Sequence, residues 1–412
     1  MTNLVWKRQV LSNGMRVLLF PRPANATAQL SLAVSYGSNS EPESASGIAH
    51  FLEHMIAGGS TCRIELSQSI EKMGGYADFS TANEDTMIFT DVLPDKISKA
   101  SETLLDILSE AAFEREKFES ERKIILHEIA EVEDDPWAMV DELLRKNLFK
   151  THPIRRPVLG LRKTVSKITI DMLEYAYKAH FTPDSMILVL TGNFSDTVAE
   201  MIIQKFGAIK QNQKYPKPPA IEETGARTKE AAKEKAGITQ AYLSVGARTV
   251  PAKHQDSPAL NIIDVIMGAG ASSRLFVELR EKRALAYSIE SGLEYGSDYG
   301  YFHTSCAIEP KQIDETKELI FKEIAKLRSE KIPEEELTKA KDMITGSVLR
   351  TIDSPVDFPE TLVNMEMQYE NENALQDYLT KLKTLTPNDI TEAANKYLPE
   401  KWLSTATILP KK

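Results

Sequence analysis

Cysteine is nearly absent. Cys62 and Cys306 are the two in 412 residues. They cannot make a disulfide framework, and the chain reads as one from a reducing compartment. An excess of basic residues is also missing. Asp and Glu number 60 against 50 Lys and Arg, a net charge of −10. That argues against nucleic acid as the main partner, because phosphate binding needs a basic surface. No apolar run approaches the roughly 18 residues of a membrane span. The stretch Met1 to Arg8 has no apolar h-region, so no secretory signal is evident. These absences predict a soluble, cytoplasmic protein with no nucleic-acid or membrane partner. What is present is ordinary for a globular chain, 42% hydrophobic and 27% charged. The length is comfortable for two domains.

The order of elements supports two. Asn13-Gly14 between Val10-Leu11-Ser12 and Met15 to Phe20 predicts a hairpin. A strand is expected over Gln29 to Val34, then helices near 45–56 and 61–73, ended by Gly74-Gly75. Strands near 76–81 and 86–93 follow, then long helices over 94–112, 114–134 and 137–149, and a buried strand over 186–191. Residues 210–236 hold Pro216, Pro218, Pro219 and many charges, and read as a linker. The pattern then restarts. A strand (240–245) and a helix (257–267) lead to another helix (274–283), strands at 287–293 and 301–307, more helices and a last strand near 403–409. Met55-Ile56-Ala57-Gly58-Gly59-Ser60 even resembles Met267-Gly268-Ala269-Gly270-Ala271-Ser272, about 212 residues on. The expectation is a duplicated α+β fold: an N-terminal domain (1–209), the linker, and a C-terminal domain (237–412).

One pentapeptide carries most of the chemistry. In His50-Phe51-Leu52-Glu53-His54, positions i, i+3 and i+4 share a helix face. Two imidazoles and a carboxylate therefore converge. Such a group can hold a cation and a water, most of a zinc hydrolase site. The order H-x-x-E-H reverses the commoner zinc-protease motif. The plain alternative is a partly buried polar turn. The apolar neighbours Ala45, Ile48, Ala49, Phe51, Leu52, Met55 and Ile56 weigh against it, since buried imidazoles and carboxylates need partners. In the second copy the corresponding positions are Ile262-Ile263-Asp264-Val265-Ile266, which cannot bind a metal in the same way.

A catalytic zinc site usually takes three protein ligands. The best source of a third is the helix running through Glu121 to Glu133. Ile124, Ile125, Ile129 and Val132 define its apolar face. Glu121 and Glu128 fall inside that arc, Glu131 at its edge, and Glu133 to Asp135 largely outside. A carboxylate on a buried face needs a partner or a metal. Glu128 is the first choice as ligand and Glu121 as a supporting carboxylate, while His127 projects elsewhere.

With these residues placed, the chain resembles the M16 (pitrilysin-type) metallopeptidases. The likeness runs through His50 to Met55, through Glu121-Arg122 with Ile124-Ile125-Leu126-His127-Glu128-Ile129, and through Ser272 to Phe276 leading into Leu279 to Ser288. His152-Pro153 with Pro157-Val158-Leu159-Gly160 is similar too. The resemblance implies zinc, one ion per chain, on His50, His54 and Glu128, with Glu53 as general base. It implies an oxyanion-stabilising pair at Arg280 and Tyr287. From spacing alone Arg280 is an ordinary surface charge. It also implies sheets covered by helices in each domain, the whole chain forming half of a clamshell, an enclosed chamber, peptide substrates and a homodimer. Two alternatives stay open: a non-catalytic scaffold subunit of the same fold, and one half of a heterodimeric peptidase. One departure stands out. Where the family carries N-A-x-T, this chain has Asp78-Phe79-Ser80-Thr81.

Overall fold

The computed structural model describes residues 4–58, 65–109, 113–210, 221, 223 and 227–411. It divides into two compact units. Unit 1 gathers Met1–Ala130, Arg156–Pro219 and Arg350–Leu375; unit 2 gathers Glu131–Arg155, Ala220–Leu349 and Gln376–Lys412. The sequence-based division follows chain order; the compact units do not. Cys62 lies outside the described residues, and Cys306 is a free, buried thiol.

Unit 1 is built on a six-stranded sheet. Its strands are β1 (Lys7–Val10), β2 (Arg16–Pro21), β3 (Ala28–Val34), β4 (Tyr76–Thr81), β5 (Thr86–Val92) and β6 (Met186–Gly192), in the order β1-β2-β6-β3-β5-β4. The expected hairpin is present: β1 pairs antiparallel with β2, and Gly14 supplies the left-handed turn residue at φ 90°. Only β2 and β6 run parallel in this sheet. Val17, Leu30, Leu32, Val34 and Ile88 face the main core, which the helices α1 (Ile48–Ala57), α2 (Leu66–Glu71), α3 (Ile97–Ser109) and α4 (Arg115–Asp134) help to close. Residues of opposite parity face a helix from far along the chain, Asp357–Tyr369. Phe358 meets Phe20 edge-on at 4.8 Å. Glu366, fully buried, takes the Arg8 guanidinium at 2.8–3.1 Å. A buried carboxylate is tolerated only with such a partner.

Unit 2 repeats the plan. Strands β7 (Glu230–Lys235), β8 (Ala241–Arg248), β9 (Ala286–Tyr295), β10 (Gly300–Ile308) and β11 (Ser404–Pro410) pair in the order β7-β11-β8-β10-β9. Remove β1 from the first sheet and the two orders match, down to the single parallel pair, β2–β6 in one and β7–β11 in the other. The helix α5 (Pro136–Leu148) packs Val140, Leu143 and Leu144 near Ala406 and Ile408. The two-domain α+β expectation therefore holds, with mixed sheets covered by helices.

Two local expectations need correction. The supposed linker contains β7, whose sequence Glu-Ala-Ala-Lys-Glu-Lys has no apolar alternation to announce it. It is an edge strand, where charges replace the buried pattern. The helix expected over 274–283 is wound instead as a π-helix, Phe276–Glu281, followed by Ala284 at φ 51°. Such windings and positive φ values recur where a side chain must be re-aimed. No helix among the described residues is long and apolar enough to cross a membrane.

Candidate metal centre

The site begins with how α1 is held. Seven of its ten residues are buried, including Phe51, Leu52, Met55 and Ile56. That all-round apolarity lets one face carry His50, Glu53 and His54 inside the unit. Its start is capped from outside the helix: Glu41 accepts Gly47 N–H at 2.9 Å and Ala49 N–H at 2.8 Å. These are donors a helix N-terminus leaves unpaired. Arg156 secures the Glu41 segment by donating to the carbonyls of Ser38 and Glu41. Gly47 (φ 96°) and Gly160 (φ 77°) let two backbones touch here. A Cβ on Gly160 would lie 2.3 Å from Ser46 O, and one on Gly47 2.6 Å from Leu159 O.

His50, His54 and Glu128 offer ligand atoms that all lie within 4.8 Å of one another. His50 Nε2 is 3.7 Å from Glu128 Oε2, and His54 Nε2 is 3.5 Å from it. Atoms bound tetrahedrally to zinc at about 2.0–2.1 Å stand roughly 3.3 Å apart, and both distances from Glu128 are close to that spacing. The other ring nitrogen of His54, Nδ1, pairs with Glu121 Oε2 at 2.8 Å, which turns Nε2 toward Glu128. Glu121 is tied in turn to Lys117 at 2.8 Å. Glu53 accepts the Thr81 hydroxyl at 2.7 Å, a contact from β4.

The charge balance also calls for a cation. Three carboxylates, Glu53, Glu121 and Glu128, converge on two imidazoles and a single ammonium, Lys117 on Glu121. Burial, with help from His54, pushes His50 down to about 3 and keeps it neutral, as a metal ligand must be. Burial pulls His54 the same way, but the Glu121 hydrogen bond and the nearby carboxylates outweigh it and raise it. Burial raises Glu53, against the Thr81 hydrogen bond and His54. Burial would raise Glu121 too, yet its bonds to His54 and Lys117 bring it down. A raised carboxyl beside a lowered one is the arrangement that separates a proton-carrying group from a fixed anion.

The structure thus brings His50, Glu53, His54, Glu121 and Glu128 together in unit 1. The helical-face argument for α4 needs adjusting. Ile124 and Val132 are exposed, at 43% and 37%, and the buried stripe is Phe118, Glu121, Ile125 and Ile129. Glu128 sits at its edge, half-buried, and Glu131 is exposed. Arg280 and Tyr287 stand in unit 2, beside each other. Arg280 donates to Tyr287 O at 2.8 Å, and its guanidinium lies 4.4 Å from the Tyr287 ring and 4.9 Å from Phe276. Tyr287 is open to solvent at 79%. Sequence reasoning missed Glu41, Arg156 and Lys117. Only Lys117 left a signal, its i,i+4 spacing to Glu121.

Comparison with known proteins agrees with this geometry. Residues 16–162 match the family described as Insulinase (Peptidase family M16), and residues 167–344 match the Peptidase M16 inactive domain. An uncharacterized zinc protease of Mycobacterium leprae is 28% identical over 96% of this chain and 90% of its own length. A protease from Helicobacter pylori shares the fold at a TM-score of 0.92 with 22% identity, covering 98% of this chain and 99% of that one. The M16 inactive domain structure from Pseudomonas fluorescens superposes at 0.90 with 21% identity over 99% and 98%. With one family matched in both halves and over nearly its whole length, the chain belongs to the M16 peptidases, in their short single-chain form.

Proposed function

We propose that this protein is a zinc-dependent endopeptidase acting on peptides or small unfolded polypeptides. One observation carries the reading: two imidazoles and a carboxylate at ligand spacing, with Glu53 beside them and held by Thr81. His50, His54 and Glu128 would hold the ion. Bound zinc supplies Lewis acidity and brings the pKa of a water from ~16 to about 7.

Glu53 is the general base, taking the proton of the attacking water and passing it to the leaving nitrogen. Burial suits it, because a carboxyl raised above its usual range holds a proton longer between the two transfers. To Arg280 and Tyr287 we assign donation to the developing oxyanion, a role worth roughly 100- to 1,000-fold in rate per donor. The free edge of β4 would receive the substrate as an added strand. Both the zinc motif and the Arg/Tyr pair occur in one chain, so a homodimer enclosing a chamber is favoured over partners that divide the labour.

The test is metal analysis with cleavage of an unfolded peptide by wild type and Glu53→Gln. Glu53→Gln should keep zinc and lose at least about 100-fold in kcat. Cleavage at the wild-type rate would sink the mechanism. A wild type that holds no zinc and cleaves nothing would favour the scaffold reading. The match described as the M16 inactive domain covers residues 167–344, where the helix Ser257–Met267 carries no histidine.

A further inference from the structure

β4 ends the first sheet, and the phase of its pairing decides which backbone groups face outward. Across the turn into β5, Ala82 N–H donates to Asp85 O at 2.8 Å. The register then pairs Ser80 with Met87, Asp78 with Phe89 and Tyr76 with Asp91. Antiparallel pairs alternate between bonded and non-bonded. Tyr76, Asp78 and Ser80 therefore use their backbone groups on β5, and Ala77, Phe79 and Thr81 turn theirs to the free edge. Side chains alternate too: Tyr76, Asp78 and Ser80 are exposed, while Ala77, Phe79 and Thr81 are half-buried. The edge strand β7 is blunted by four charges. β4 carries one, Asp78.

That one charge sits on the middle donor. Asp78 Oδ1 accepts Phe79 N–H at 2.9 Å. Asp78 is also near enough to the Tyr76 phenol to raise its pKa. Among the described residues Asp78 thus bonds a backbone amide and has a phenol nearby, with no Lys or Arg ion pair. An incoming strand must take Phe79 N–H away from Asp78. The carboxylate is then left on the outer face, next to whatever side chain the peptide places opposite. Cross-strand neighbours of opposite charge stabilise a pair of strands, and like charges oppose it.

We propose that Asp78 determines specificity on this strand: its carboxylate covers Phe79 N–H until a peptide displaces it, and then selects a Lys or Arg on that peptide. The inference rests on β4 as the substrate edge. It accounts for the departure from N-A-x-T, since an asparagine there would bring no such charge preference.

The test is binding, read apart from turnover. Labelled unfolded peptides differing at one position (Lys, Gln or Glu), with that position walked along the peptide, are titrated against Glu53→Gln by fluorescence anisotropy. At the position facing Asp78 the Lys peptide should bind up to about fivefold more tightly than the Gln peptide, the range of an exposed ion pair, with the Glu peptide weakest. Adding Asp78→Asn, isosteric and on an exposed residue, should level the three. Asp78→Ser repeats the test without an amide. An order that survives both substitutions, or no order at any position, overturns the inference. If wild type cleaves no peptide while the Asp78-dependent order is present, the peptidase reading falls and this inference stands. If peptides are cleaved but the order is missing, the reverse holds.

Discussion

At the residue scale, the decisive contrast lies between two glutamates three apart on α4. Glu128 points Oε2 between the two imidazoles, whereas Glu131 is exposed and outside the cluster. Glu128→Gln should lower zinc affinity by more than the roughly 10–100-fold that loss of an outer hydrogen-bond partner costs. Glu131→Gln should leave it unchanged. Competition with a chromogenic chelator checks both, and equal loss in the two variants would move the third ligand elsewhere. His50, Glu53 and His54 were legible because helical periodicity alone sets their convergence. Glu128 was reached by a face assignment whose centre was displaced: Ile124 and Val132 looked like core residues and are not. A sequence shows which positions on a helix share a side, but not which neighbour covers that side.

At the element scale, the site depends on how firmly the start of α1 is seated. Gly160 sits at φ 77° with Ser46 O 2.3 Å from where its Cβ would be. Gly160→Ala should therefore cost at least about 2 kcal/mol, from the left-handed backbone and from displacing Ser46. Denaturant unfolding measures this, and zinc affinity should fall with it because His50 lies one turn beyond Gly47. Full stability in Gly160→Ala would mean the contact is soft. Most strands and helices here were readable from alternation and from Gly-Gly and Asn-Gly punctuation. β7 was not, because an edge strand needs no apolar face. Neither was the π-winding at Phe276–Glu281, since i→i+4 and i→i+5 turns draw on the same residues.

At the scale of the whole molecule, chain order and compact units part company. The helix Asp357–Tyr369 belongs with the first sheet because Phe358 and Glu366 find Phe20 and Arg8 there, contacts that span more than 330 residues of sequence. Unit 2 has an anchor of its own. Glu223 accepts the backbone N–H groups of Lys150, Thr151 and His152 and pairs with Arg248 at 3.1 Å. Burial alone would raise this carboxyl, but the three amides outweigh it and bring it from 4.5 to about 2. A carboxylate depressed in the folded state stabilises at every pH above its unfolded value. That stability is lost as pH falls from about 4.5 toward 2. Glu223→Gln should lower Tm at pH 7 and flatten the decline of Tm below pH 4.5. An unchanged acid slope in the variant would show that other carboxylates govern it.

What the sequence determined by itself is what depends on neighbours in the chain. The three-residue face in α1, the hairpin at Asn13-Gly14, the repeated order of strands and helices, and the lack of a second H-x-x-E-H all rest on local geometry or composition. Tertiary structure alone decided the rest: the cap of Glu41 on α1, the Thr81 hydroxyl on Glu53, the distances from Glu128 to the imidazoles, and the phase that places Asp78 over an open edge. Each needs two segments brought together by packing, and packing at long separation is set by the summed burial of whole faces, which no short stretch of sequence records.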